Sequence, residues 1–164
     1  MSYQKVRDYF EEKGIVDHIT VHEQTGDTVE HAAQTIGCTV AEIAKAMSFV
    51  VDGKPIMVVM AGDTRVNSSK FKAYFHQKPS MVSREQVEEL IGHAPGGVCP
   101  FAVKEGVPVY LDVSLKRFSV IHTAAGIDTA TIRLTLAELV EHSRAAGWVD
   151  VCKGWLVNED CTTA

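Results

Sequence analysis

Gly92-His93-Ala94-Pro95-Gly96-Gly97-Val98-Cys99-Pro100-Phe101 puts three glycines and two prolines within ten residues, after an amphipathic helical pattern and before a run of strand-like segments. Proline fixes φ and removes a donor, while glycine permits positive φ and close approach of another molecule to the backbone. The stretch predicts a shaped, rigid loop with exposed backbone N–H groups. Two readings stand: a helix C-cap followed by a turn, or a loop that faces a ligand.

Upstream, Ser83-Arg84-Glu85-Gln86 has the capping-box pattern and opens a helix whose stripe is Val87, Leu90 and Ile91, ended by Gly92. Ser68 or Ser69 opens a helix through Phe75. Residues 46–51 and 56–61 are apolar β-type runs joined by Asp52-Gly53-Lys54-Pro55, a hairpin signal in which Pro55 lengthens the turn. Thr39-Val40-Ala41-Glu42 is a second capping box, starting a short helix toward Lys45. Thr28 caps a helix through Ile36, and Gly37 ends it. Tyr3, Val6, Tyr9 and Phe10 recur at helical spacing up to Gly14, followed by a short strand at Ile19-Thr20-Val21-His22.

Downstream, residues 107–113, 118–122 and 130–134 read as strands. Thr135-Leu136-Ala137-Glu138 is a third capping box, opening a helix to Ala146 that Gly147 ends. Trp148-Val149-Asp150-Val151 reads as a closing strand, and a polar, loose tail begins at about residue 156. Helices and strands are interspersed without a βαβ repeat, which predicts an α+β class with a mixed sheet. Residues 1–164 form one domain, long enough to bury a sizeable core.

The 46% hydrophobic and 23% charged content is ordinary for a globular chain, and no apolar run is long enough to span a bilayer. The N-terminus lacks a signal-peptide apolar core, and four scattered cysteines without a CxxC pair suggest reduced thiols in a cytoplasmic protein. A net charge of −5 argues against indiscriminate binding along nucleic acid. From Thr64 to Arg84, however, Arg65, Lys70, Lys72, Lys78 and Arg84 occur with no Asp or Glu, so this segment either meets a few phosphates or is a solvated face.

Walker A, GxGxxG, GxSxG and HExxH motifs are absent. His18 and His22 lie four apart, but on turn and strand rather than on a metal-binding helix. Cys99 is either a nucleophile served by His93 or, preferentially, a small packed thiol. Lys45 leads into an apolar strand and shares a face with Met47, Phe49 and Val51. It either snorkels to solvent or supplies a fixed charge for a phosphate, carboxylate or oxyanion. Asp112, which follows Val109-Tyr110-Leu111 in a strand pattern, either hydrogen-bonds the central loop, binds substrate or faces water near a strand end. Asp63 poses the same choice, with a turn role favoured.

In this order and spacing, Ala44-Lys45, the stretch Ala61-Gly62-Asp63-Thr64-Arg65-Val66-Asn67 with Lys70, the Gly92 loop, Tyr110-Leu111-Asp112 and Ala125-Gly126 resemble the YbaK family of aminoacyl-tRNA deacylases. That family is related to the editing domain of bacterial prolyl-tRNA synthetases, and the resemblance runs from about Thr28 to Lys153. It implies a mixed, barrel-like sheet flanked by helices, and hydrolysis of the ester joining a wrong amino acid to tRNA. It also implies that Lys45 and the Gly-Pro-Gly-Gly loop line the pocket, with no metal or organic cofactor. Family members often carry Ser where Cys99 stands, which argues against an essential thiol. In related enzymes a ribose hydroxyl or a substrate thiol assists proton transfer, in keeping with the missing triad.

On this reading Lys45 anchors substrate, while Gly96 and Gly97 donate to the oxyanion. Gly92, Pro95, Val98, Cys99, Asp112, Met47, Phe49, Arg65 and Lys70 contact substrate, with Val58 and Met60 as further walls. The expected partner is the acceptor end of a mischarged tRNA, with an aminoacyl-tRNA synthetase as a second; neither a membrane nor DNA is expected. The alternative function is a non-catalytic module binding an aminoacyl group, a nucleotide or a protein partner through the same pocket. A thiol-dependent hydrolase using Cys99 is a third.

Overall fold

The structure, a computed structural model, describes residues 2–23 and 29–154. The Thr28 cap and the polar tail lie outside the described residues. Helix α1 (Ser2–Glu12) is followed by β1 (Ile19–Val21), α2 (Val29–Ile36), β2 (Ala44–Val51), β3 (Lys54–Ala61) and β4 (Arg65–Val66). Then come α3 (Ser68–Phe75), α4 (Val87–Ile91), β5 (Val109–Asp112), β6 (Val120–Ala124), β7 (Ala130–Thr135), α5 (Leu136–Ser143), β8 (Gly147–Val149) and β9 (Cys152–Lys153).

One mixed sheet has the order β2-β3-β5-β8, with β2 antiparallel to β3 and the other two neighbour pairs parallel. An antiparallel sheet has the order β1-β7-β6, and β4 pairs with β9. A single parallel bridge, Ile43 to His122, joins the edges of the two larger sheets. The α+β class with a mixed sheet is therefore found, but the sheets do not close: one bridge cannot continue the ladder that a barrel requires.

Local chemistry explains most boundaries. Val51 pairs with Lys54 across Asp52 (φ 53°) and Gly53 (φ 75°), so the hairpin is a two-residue turn of the primed type. Pro55 sits within β3, opposite Val50, and does not lengthen the turn. The Thr39 capping box forms, yet it closes only a 3₁₀ turn at Val40–Glu42, and Lys45 lies inside β2. The Thr135 box caps α5, which ends earlier than expected, at Arg144 in the left-handed conformation. The Ser83 box does not cap a helix: the backbone N–H of Gln86 bonds Ser83 O in a turn, and α4 begins at Val87. Asn67 rather than a serine caps α3, its side chain accepting from Lys70 N.

The main core lies between α1, the four-stranded sheet and the three-stranded sheet, with Val6, Phe10, Met57, Phe101, Leu111, Ile121 and Ile132 all fully buried. Phe101 meets Phe10 edge-on at 4.9 Å, which fastens the end of the Gly92 loop into this core. A second cluster on the other face of the sheet gathers Phe49, Val58, Met60 and Phe71.

Candidate active site

Between the two sheets lies a cavity of about 530 Å³, walled by Ala44, Ala46 and Ser48 of β2, by Thr123 and Ala124 of β6, and by Pro95, Gly96 and Val98 of the loop. Its existence follows from residue size. On β2 the positions facing β6 are alanine and serine, where large aliphatic residues would fill the space. Lys45 and Met47 also border the cavity, as do Met81, Arg84, Ile127 and Asp128.

The loop is built as a tight turn. Pro95 supplies the first central residue, Gly96 (φ 90°) the second, and Gly97 N–H donates to Ala94 O at 3.0 Å. This is the type II arrangement, which needs a residue tolerant of positive φ at its third position. Gly97 is required for a different reason: a Cβ there would fall 2.4 Å from Gly126 O, so the loop touches the 125–128 turn backbone to backbone. The ends of the loop are tied by His93, whose Nε2 lies 2.7 Å from Phe101 O. Among the described residues, the N–H groups of Gly96 and Val98 have no hydrogen-bond partner.

The oxyanion role expected of Gly97 is thus corrected, because its N–H closes the turn. Among the described residues, Gly96 and Val98 do present unpartnered donors on the cavity wall. Gly92 is also corrected: it caps α4 at φ 99°, its carbonyl accepts from Lys5, and it does not line the cavity. Phe49, Val58 and Met60 belong to the second cluster, on the sheet face away from the cavity.

Lys45 donates to Thr64 O at 2.6 Å. Burial holds its ammonium below the ordinary lysine range, and no carboxylate pairs with it among the described residues. The neighbouring Asp63 is occupied instead by a bidentate pair with Arg117 at 2.7 and 3.0 Å. A half-buried cation held by a neutral carbonyl is an arrangement suited to an incoming anion.

Asp112 is fully buried, away from the cavity. One oxygen accepts from Ser114 N and the other from Val151 N, each at 2.9 Å. The substrate-contact role expected of it is corrected to a structural one. Lys70 is engaged by Asp150 and Cys152 O, and Arg65 pairs along β9; neither reaches the cavity. Of the basic segment, only Arg84 does.

Cys99 is buried beside His93, with Sγ 3.7 Å from Nε2, and burial pushes its thiol up to about 12. It does not line the cavity, and so high a value leaves it protonated and inert at neutral pH. Cys99→Ser is accordingly expected to leave any activity of the cavity unchanged, and the native protein is not expected to react at this position with a thiol reagent. Loss of activity in that variant would restore the thiol as a participant.

His93 is the other buried titratable group of the loop. Burial lowers its pKa from 6.5, so the native ring stays neutral where the unfolded chain takes up a proton. Stability is therefore full above about pH 6.5 and falls by about 1.4 kcal/mol per pH unit below it, until the native pKa is reached. His93→Gln, which keeps a donor for Phe101 O, makes the acid dependence of the urea midpoint shallower. An unchanged slope would contradict this. His122, lowered likewise by burial, keeps its own share.

Several cavity groups escaped the sequence reading. Thr123 is 2% exposed, and its hydroxyl has no partner among the described residues. Thr131 meets His22 at 2.8 Å. The small residues at Ala44, Ala46 and Ser48 were the available signal, since such side chains on one face of an apolar strand leave room. Among the described residues no three His, Cys, Asp or Glu side chains gather to hold a metal.

A family model described as the aminoacyl-tRNA editing domain matches residues 23–142. The uncharacterised protein YwhH of Bacillus subtilis (strain 168) is 42% identical over 156 residues, which cover 94% of this chain and 99% of that protein. The proline–tRNA ligase of Limosilactobacillus fermentum is 35% identical over 95 residues, or 54% of this chain but only 17% of the ligase. Among solved structures, a proposed trans-editing enzyme for prolyl-tRNA synthetase matches with TM-score 0.82 and 28% identity, covering 93% of this chain and 98% of that one.

Proposed function

The chain belongs to the aminoacyl-tRNA editing-domain family, and from that premise we propose that it is a trans-editing deacylase, hydrolysing the ester of a mischarged tRNA in the cavity between β2 and the Gly92 loop. The supporting observation is that Lys45, which has no carboxylate partner among the described residues, borders the same cavity as Gly96 and Val98, whose backbone N–H groups are likewise unpartnered among them.

Water attacks the ester carbonyl carbon, and the negative charge that develops on the carbonyl oxygen is met by these N–H groups. One such donor typically contributes about 2.7–4 kcal/mol to lowering the barrier. The tetrahedral species collapses by breaking the bond to the ribose oxygen. That oxygen leaves with a proton originating from the water, giving the free amino acid and intact tRNA. Lys45, with Arg84 at the rim, attracts the anionic acceptor end.

Selectivity by size follows from the walls. One methylene is worth only about 1–3 kcal/mol in an apolar pocket, so synthetases admit small wrong amino acids and a second pocket improves accuracy. Because two of the similar proteins belong to the proline system, tRNA for proline is the first tRNA to test. The protein is incubated with that tRNA carrying alanine, serine or cysteine, and release of the amino acid is followed. Hydrolysis of at least one supports the proposal; binding without hydrolysis of any favours the non-catalytic module.

A further inference from the structure

Asp128 lines the cavity at the turn between β6 and β7, half-buried, and no hydrogen bond or ion pair engages its carboxylate among the described residues. It lies directly beside the loop: a Cβ built on Gly96 would be 3.4 Å from Asp128 Cβ and 3.7 Å from Oδ2. A free carboxylate beside a donor meant for an oxyanion would oppose the developing charge, unless a cation stood between them. The aminoacyl ester carries such a cation, since its α-ammonium is one carbon from the reacting carbonyl. On the wall of the same cavity, the buried Thr123 hydroxyl, unpartnered among the described residues, independently marks a place made for a polar ligand.

We propose that Asp128 binds the α-ammonium of the aminoacyl group, so that the site accepts only esters with a free α-amino group. The inference rests on the deacylase reading and names what that site recognises. The carboxylate accepts hydrogen bonds from the ammonium while Gly96 and Val98 hold the carbonyl oxygen, fixing the ester at both ends of the C–Cα bond. A peptidyl or N-acylated tRNA, lacking the charge, is left intact.

The test uses alanyl-, seryl- and cysteinyl-tRNA together with the matching α-hydroxy esters, which keep the shape but replace the ammonium by a neutral hydroxyl. Single-turnover rates are measured with wild type and Asp128→Asn and divided by the spontaneous rates. Wild type is expected to favour the amino ester by about 10–100-fold, the worth of one hydrogen-bonded charge. Asp128→Asn is expected to lose that preference, its rate on the amino ester falling to its rate on the hydroxy ester. Equal rates on the two esters by wild type would overturn the inference and leave the deacylase standing. So would an equal fall on both esters in the variant, which would mark Asp128 as a base acting on water. No hydrolysis of any ester would overturn the deacylase reading and this inference with it.

Discussion

Lys45→Met is expected to lower deacylation of mischarged tRNA by about 10–100-fold with the fold intact, the range of losing one charged contact to the substrate. The methionine stem fills the space of the lysine stem, so packing against β3 persists. What disappears is an ammonium held at Thr64 O, with no carboxylate partner among the described residues. Burial already disfavours that charge in the free protein, so removing it costs little stability. The checks are a single-turnover rate and a thermal melt on the same preparation. A wild-type rate in the variant would remove Lys45 from the site.

Asp112→Ala has the opposite signature, a large loss of stability with little effect on chemistry. Its two carboxylate oxygens are the acceptors for Ser114 N and Val151 N, and the side chain is fully buried. Truncation breaks two hydrogen bonds to a charged group and strands two amides. The cost is about 3–5 kcal/mol, which for a chain of this size lowers Tm by roughly 10 °C. Asn recovers at most one of the two bonds, because its amide nitrogen faces a donor. Below its melting range, the Ala variant hydrolyses substrate at the wild-type rate. A selective rise in KM without destabilisation would return Asp112 to the substrate.

Features set by neighbours in sequence were legible. The Thr135 box, the Asp52-Gly53 turn and the Gly92 helix stop each depend on a few adjacent residues, and each forms. The Ser83 box failed because its four residues are used by a turn that lets residues 80–82 bond back to β2, through Val50 N to Ser80 O and Val82 N to Ser48 O. That demand comes from residues more than thirty positions away.

Site residues divide along the same line. Lys45, Met47, Pro95, Gly96 and Val98 border the cavity, while Phe49 packs in the second cluster, on the face that alternation gives it together with Lys45 and Met47; alternation fixes which side chains share a face but not which face borders a cavity. Gly97 was recognisable as special, but its reason, contact with the Gly126 backbone, is non-local. Asp112 could not be read as structural because its acceptor role depends on Val151, in a different strand connection. Asp128 carried no signal at all: a single aspartate in a turn reads as turn chemistry until the loop is seen beside it.

The most direct measurement is the single-turnover release of amino acid from tRNA for proline charged with alanine, serine or cysteine, set against the same tRNA charged with proline, using excess wild-type protein and Lys45→Met in parallel. The account predicts rapid release from at least one mischarged form, none beyond the spontaneous rate from the prolyl form, and a slower reaction in the variant. Intact ester in every mischarged form, with the protein folded and bound to the tRNA, would contradict it.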